Sequence, residues 1–156
     1  LDLVEQELTN LLWERIGEEF RAFVGMTAFE ELCRQWVLAQ ARAGRLPFLP
    51  EIVGTHWAAD VQVDVVALNW RERAVMLGEY KWGTHPVGRE VVRELVEVKT
   101  PQVLAELPEG GTGWRAYHVF FARAGFTDAA RAQAEAVSAT LVNLATLDAD
   151  LAMEEA

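Results

Sequence analysis

Apolar residues near the N-terminus recur at intervals of three and four, which is the spacing of one face of an α-helix. Gly25 is a natural C-terminal stop for this helix. A second helix is expected from Thr27, because Thr27 and Glu30 have the spacing of a capping box. We therefore predict a connecting helix over residues 1–24, whose apolar stripe needs a partner surface. That stripe consists of Val4, Leu8, Leu11, Leu12, Ile16, Phe20 and Phe23.

The rest of the chain, residues 25–156, alternates between strand-like and helical patterns. Short connections between the first three strands favour an antiparallel meander. The pattern predicts one α/β domain with a central mixed β-sheet flanked by helices. The predicted elements are strands over residues 51–57, 61–69 and 74–82, a helix after Pro86, a strand over 114–122, a helix from Thr127 and a last strand over 141–147.

Composition and charge narrow the classes of function. The longest apolar runs are far shorter than the roughly 20 residues that cross a bilayer, so we expect no membrane association. A single cysteine, Cys33, cannot form an internal disulfide, which favours a reducing, cytoplasmic setting. Cys33 lies on an apolar helix face and is interpreted as a core residue. The net charge of −10 argues against a general polyanion binder.

The candidate chemistry lies on two neighbouring predicted strands. Glu79 and Lys81 are two residues apart on one strand, so their side chains share a face. Asp64 lies on the preceding strand, and a hairpin between the two strands would bring it beside Glu79. Two close carboxylates repel each other unless a cation lies between them, and oxygen ligands suit Mg²⁺ or Mn²⁺. A neighbouring lysine could orient a metal-bound water.

The same spacing occurs once more, at Glu97 and Lys99. That pair falls on a helical pattern, where positions two apart face different directions, so it is not expected to form a site. The chain contains only these two lysines, and Lys81 on an apolar strand suggests that an ammonium group is needed there. The alternative is a simple ion pair between Glu79 and Lys81 at the edge of a strand.

In the order of these acidic and basic residues, the chain resembles the PD-(D/E)XK nuclease superfamily. It is most similar to a nuclease-like C-terminal domain of unknown function that follows the ATPase module in one archaeal and bacterial ATPase family. The resemblance rests on the segments around Gly25–Cys33, His56-Trp57, Val63–Ala67, Gly78–Trp82 and Phe120–Asp128. It departs from the family at Gln62, where an acidic residue is usual.

The resemblance implies a restriction-endonuclease-like fold with a core ordered αβββαβ. It implies metal ligands at Asp64 and Glu79 helped by the carbonyl of Tyr80, a catalytic Lys81, and Glu30 assisting the metal or the lysine. Glu31 is the alternative to Glu30 as the inward acid. The implied cofactor is Mg²⁺ or Mn²⁺, and the implied partners are DNA and an ATPase domain of the same full-length protein; a second copy of the chain is a further candidate.

Two functions follow from this pattern. The first is a metal-dependent DNA phosphodiesterase, and the second is a catalytically inactive nuclease-like module that binds or regulates a partner ATPase. A basic rim around Asp64 would favour nucleic acid, whereas an acidic rim with exposed tryptophan would favour protein docking. The arginines expected at such a rim are Arg89, Arg93, Arg115 and Arg123.

Overall fold

The computed structural model describes residues 3–57 and 61–154. The backbone of residues 56 and 57 belongs to a strand, but the side chains of His56 and Trp57 lie outside the described residues. No helix in the described ranges is long and apolar enough to cross a membrane.

The first element is one continuous helix, α1 (Leu3–Arg42). The predicted stop at Gly25 is therefore wrong, and so is the capping box, because the Thr27 hydroxyl donates to the carbonyl of Phe23 within the helix. Gly25 is explained by packing: a Cβ atom there would lie 2.7 Å from a ring carbon of Trp82. The glycine allows the tryptophan ring to approach the helix backbone.

Five strands form one sheet in the order β1-β2-β3-β4-β5. The first three are antiparallel neighbours, which confirms the predicted meander, and β4 and β5 are added in parallel. The predicted α/β class with a central mixed sheet flanked by helices is therefore confirmed. The strands are β1 (Ile52–Trp57), β2 (Val63–Asn69), β3 (Ala74–Lys81), β4 (Arg115–Ala122) and β5 (Thr140–Asn143).

The segment between β3 and β4 is a helix interrupted by a π-helical turn. It comprises α2 (Arg89–Arg93), the π-turn (Glu94–Lys99) and α3 (Thr100–Glu106), followed by a 3₁₀ turn (Pro108–Gly111). The helix α4 (Asp128–Ala136) begins as predicted, with the Thr127 side chain accepting from the N–H of Ala130.

The last predicted strand is partly wrong, because β5 ends at Asn143 and α5 (Leu144–Glu154) follows at once. The side chain of Asn143 accepts from the N–H of Thr146, which caps the start of this helix. The apolar run fits a strand or a helix equally well, and the cap decides between them.

Each face of the sheet carries its own hydrophobic core. On one face, Phe29 and Cys33 of α1 pack with Val65 and Met76. The indole N–H of Trp36 donates to Asp150 and ties α1 to α5 on that face. On the other face, a separate cluster joins the sheet to α2, the π-turn, α3 and α4. That second cluster includes Val75, Leu77, Val92, Leu95, Val103 and Ala130.

The N-terminal part of α1 leaves its apolar stripe exposed. The exposed side chains include Val4, Leu8, Leu11, Leu12, Ile16 and Phe23. The helix continues through residue 24 without a break, so the boundary between a connecting helix and the α/β domain stays a prediction.

Candidate functional site

The register of β2 and β3 sets Asp64 against Glu79. The two strands pair as far as Val65 and Gly78, and the next step of the same register brings Asp64 opposite Glu79. At this step the Asp64 carboxylate, rather than a ladder carbonyl, accepts the N–H of Tyr80 at 3.1 Å. Besides burial, the Asp64 carboxyl group contributes to raising the pKa of Glu79.

Glu79 is a buried acid, with 5% of its surface exposed. Burial raises the pKa of its carboxyl group to about 7; the Lys99 ammonium opposes this rise and neighbouring Asp64 adds to it. A second positive charge beside the two carboxylates would therefore relieve a repulsion that the fold creates.

The backbone of Tyr80 adds a third oxygen to this region. The N–H and C=O of one strand residue point to the same side, and the N–H of Tyr80 points to Asp64. The carbonyl of Lys81, by contrast, accepts from Arg123 on the β4 side. The Tyr80 carbonyl is consequently directed to the β2 side, where the ladder has ended.

Lys81 is exposed at the end of β3, on the face that alternation assigns to Glu79. It borders a cleft of about 580 Å³ that also contains Asp64 and the side chains of Phe23 and Trp82. The alternative of a Glu79–Lys81 ion pair is not what the structure shows, because Glu79 pairs with a different lysine.

Glu30 faces the sheet from α1, on the opposite face from the side chain of Glu79. Its carboxylate accepts from the hydroxyl of Tyr80 at 3.0 Å. Burial raises the pKa of the Cys33 thiol, and Asp64 and Glu30 add to this rise. Glu31 is exposed and pairs with Arg34, so Glu30 is the inward acid of the two.

Lys99 is the site residue that the sequence analysis missed. Its ammonium lies 2.5 Å from Oε1 of Glu79, and the two side chains are 22% and 6% exposed. Glu97 and Lys99 do not act as a pair. Glu97 pairs with Arg93 at 3.5 Å, whereas Lys99 pairs with Glu79. Lys99 itself turns toward the sheet because it ends the π-turn, where 3.6-residue spacing no longer applies.

A buried polar pair supports this π-turn. The carbonyl of Leu95 accepts from both the N–H and the hydroxyl of Thr100. Since that hydroxyl hydrogen is used, the ring Nε2 of His118, 2.9 Å away, must donate to Thr100. Burial lowers the pKa of His118 to about 4, so the ring is neutral near pH 7.

The pH dependence of stability tests this buried histidine. The pKa falls from 6.5 to about 4 on folding, so the stabilisation from the neutral ring is complete above pH 6.5 and is lost as pH falls to 4. Relative to His118→Gln, which keeps a donor near Nε2, the wild type should lose up to about 3 kcal/mol of unfolding free energy over this window. Urea unfolding of both proteins at several pH values measures the difference. Parallel pH profiles would contradict it.

The predicted basic rim is only partly formed. Arg123 stacks on Trp82, with its guanidinium carbon 4.3 Å from the ring centroid, beside the end of β3. Arg115 pairs with Ala74 at the opposite end of the sheet, so its placement in the rim is wrong. Exposed Trp70 follows β2 and contacts Trp114, which immediately precedes β4, so Trp70 also lies at that far end.

The donor set fits an open magnesium or manganese site. Within the described ranges, no group of three or more acidic, histidine or cysteine side chains could hold a metal ion. The donors available are two carboxylates and a backbone carbonyl, and Mg²⁺ commonly keeps several waters and binds one or two carboxylates.

These features define an α/β domain with a mixed sheet and an acidic pair at the end of its central hairpin. A family model described as "Archaea bacterial proteins of unknown function" (DUF234) matches residues 1–99, and the chain belongs to this family. The match runs from α1 to Lys99. No curated protein matches the chain.

Two solved structures are similar to the chain. The first is "MspJI Restriction Endonuclease in Complex with 27-mer Oligonucleotide", with 18% sequence identity and a TM-score of 0.46 over 88% of this chain and 30% of that chain. The second is "Crystal Structure of Protein of Unknown Function AF1548", with 17% identity and a TM-score of 0.42 over 74% of this chain and 64% of that chain. The chain spans less than two thirds of either protein.

Proposed function

We propose that the domain is a phosphodiesterase that depends on a divalent cation and acts on DNA. The observation that carries the proposal is the position of Asp64 and buried Glu79 on adjacent strands, each one residue beyond the last paired residues of β2 and β3. A fold gains little stability from two adjacent carboxylates, so a site for a cation is the simplest reason to keep them together.

In this proposal Asp64 and Glu79 hold Mg²⁺ or Mn²⁺, helped by the carbonyl of Tyr80. The bound cation supplies Lewis-acid polarisation of a phosphoryl oxygen. Lys81 donates to the attacking water and stabilises the negative charge that develops on the phosphate. Glu30 assists the metal site indirectly, since it holds the hydroxyl of Tyr80 on the other face of the sheet.

The net charge of −10 restricts how DNA could bind. A duplex lying along the whole surface would be repelled, so we propose that contact is confined to the cleft. Lys81 offers a cation in this cleft, and the Arg123 guanidinium, which stacks on the cleft residue Trp82, offers a second one to the phosphates.

Calorimetric titration with Mg²⁺ and Mn²⁺ tests the proposal, with DNA cleavage assayed in the same samples. The wild type should bind the cation, and Asp64→Asn and Glu79→Gln should each lose that binding along with cleavage. Glu97→Gln is the matched control, because Glu97 is an exposed acid of the neighbouring π-turn. A wild type that binds neither cation would contradict the proposal.

A second function is favoured by the exposed apolar stripe of α1. Six large apolar side chains of this stripe are exposed among the residues that the structure describes, which is typical of a surface that another protein covers. In this alternative the domain is a catalytically inactive module that docks on an ATPase, either a domain of the same full-length protein or a separate partner. The absence of cation binding in the titration above would favour it.

A further inference from the structure

The Glu79 carboxylate already has a cationic partner in this structure. Lys99 Nζ lies 2.5 Å from Oε1 of Glu79, and the side chain of Glu79 is only 6% exposed. The second carboxylate is engaged as well, because Oδ2 of Asp64 accepts from the N–H of Tyr80. A divalent cation that approaches Asp64 and Glu79 therefore finds one oxygen of each carboxylate already hydrogen-bonded.

The two cations would occupy the same small and poorly screened space. An ammonium bonded to Oε1 and a divalent cation bonded to the same carboxylate lie a few ångströms apart, and buried charges at such distances are little shielded by salt. Their repulsion opposes simultaneous binding. Lys99 is 22% exposed, so its flexible four-carbon stem can carry the ammonium toward solvent.

The geometry points to Lys99 as an internal counter-cation that competes with the divalent cation for Glu79. We propose that cation binding displaces the Lys99 ammonium from Oε1, and that Lys99 thereby sets the affinity of the site. Lys99 is on this account a positioning residue, distinct from Lys81, and the inference rests on the proposed function of the same carboxylates.

The sign of an affinity change separates competition from a structural role. Removal of the ammonium in Lys99→Met should lower the dissociation constant for Mn²⁺ by about tenfold or more, because the repulsion is lost. Lys99→Arg keeps the charge and should stay within about threefold of the wild type. If Lys99 only held Glu79 in place, Lys99→Met would weaken binding instead.

A labelling experiment on the wild type avoids dependence on a folded variant. Amine acetylation followed by mass spectrometry reads Lys99 and Lys81 separately, since they are the only lysines of the chain. Saturating Mg²⁺ should increase the acetylation rate of Lys99 by about threefold or more, as its ammonium leaves a buried partner. An unchanged or slower rate in the presence of bound cation would overturn the inference.

The outcomes separate this inference from the proposed function. If the wild type binds Mn²⁺, Glu79→Gln abolishes binding and Lys99→Met fails to tighten it, the competition is wrong while the metal site stands. If neither the wild type nor Lys99→Met binds Mn²⁺, both the competition by Lys99 and the proposed metal site are wrong. Binding that is measurable in the wild type and clearly tighter in Lys99→Met would support both.

Discussion

Replacing Lys81 by methionine is expected to reduce cation-dependent DNA cleavage by about a hundredfold or more while metal affinity stays near that of the wild type. The physical reason is that loss of one preorganised donor to developing charge typically costs about 10²–10³ in rate. Lys81 is exposed at the end of β3, so the change should not disturb the core. Single-turnover cleavage, with calorimetry on the same samples, measures both quantities.

Arg115→Met is the control for general loss of positive charge, because Arg115 is exposed at the opposite end of the sheet. It should cleave at close to the wild-type rate. Equal losses in the two variants would mean that net charge, rather than a specific ammonium at the carboxylates, limits the reaction.

Truncation of Phe29 to alanine should destabilise the protein by about 3–5 kcal/mol, which is the usual cost of removing a buried aromatic ring. Phe29 is 1% exposed and packs against Tyr80 and Trp82, with ring centroids 6.2 and 5.1 Å apart. The variant should therefore also loosen the end of β3 that carries the site. Urea unfolding monitored by circular dichroism measures the loss.

Phe23→Ala is the matched control on the same helix, since Phe23 is 60% exposed. Its unfolding free energy should change by less than about 0.5 kcal/mol. Similar losses in both variants would show that α1 packs on the sheet through a different face.

The sequence predicted those parts of the fold that are determined by residues close together in the chain. Alternation along β2 and β3 and their short connection predicted the antiparallel hairpin, which carries Asp64 and Glu79 on adjacent strands. The N-cap at Thr127 was readable in the same way. A hairpin and a helix cap of this kind can be predicted without knowing which distant residues they contact.

The wrong predictions depended on contacts between distant residues. Gly25 has the signature of a helix end, yet the Trp82 ring packs on the helix there, and one interior glycine costs only about 1 kcal/mol. Lys99 reaches Glu79 because an extra residue in the π-turn changes its direction, and that turn depends on Thr100 and distant His118. A regular helical pattern carries no sign of such a turn.

A crystal grown with Mn²⁺ tests whether Asp64 and Glu79 together bind a divalent cation. We expect an anomalous difference peak within about 2.5 Å of a carboxylate oxygen of both residues, with the Lys99 ammonium moved away from Glu79. Crystals saturated with Mn²⁺ that show no peak between the two carboxylates, with Lys99 still bonded to Glu79, would contradict this expectation.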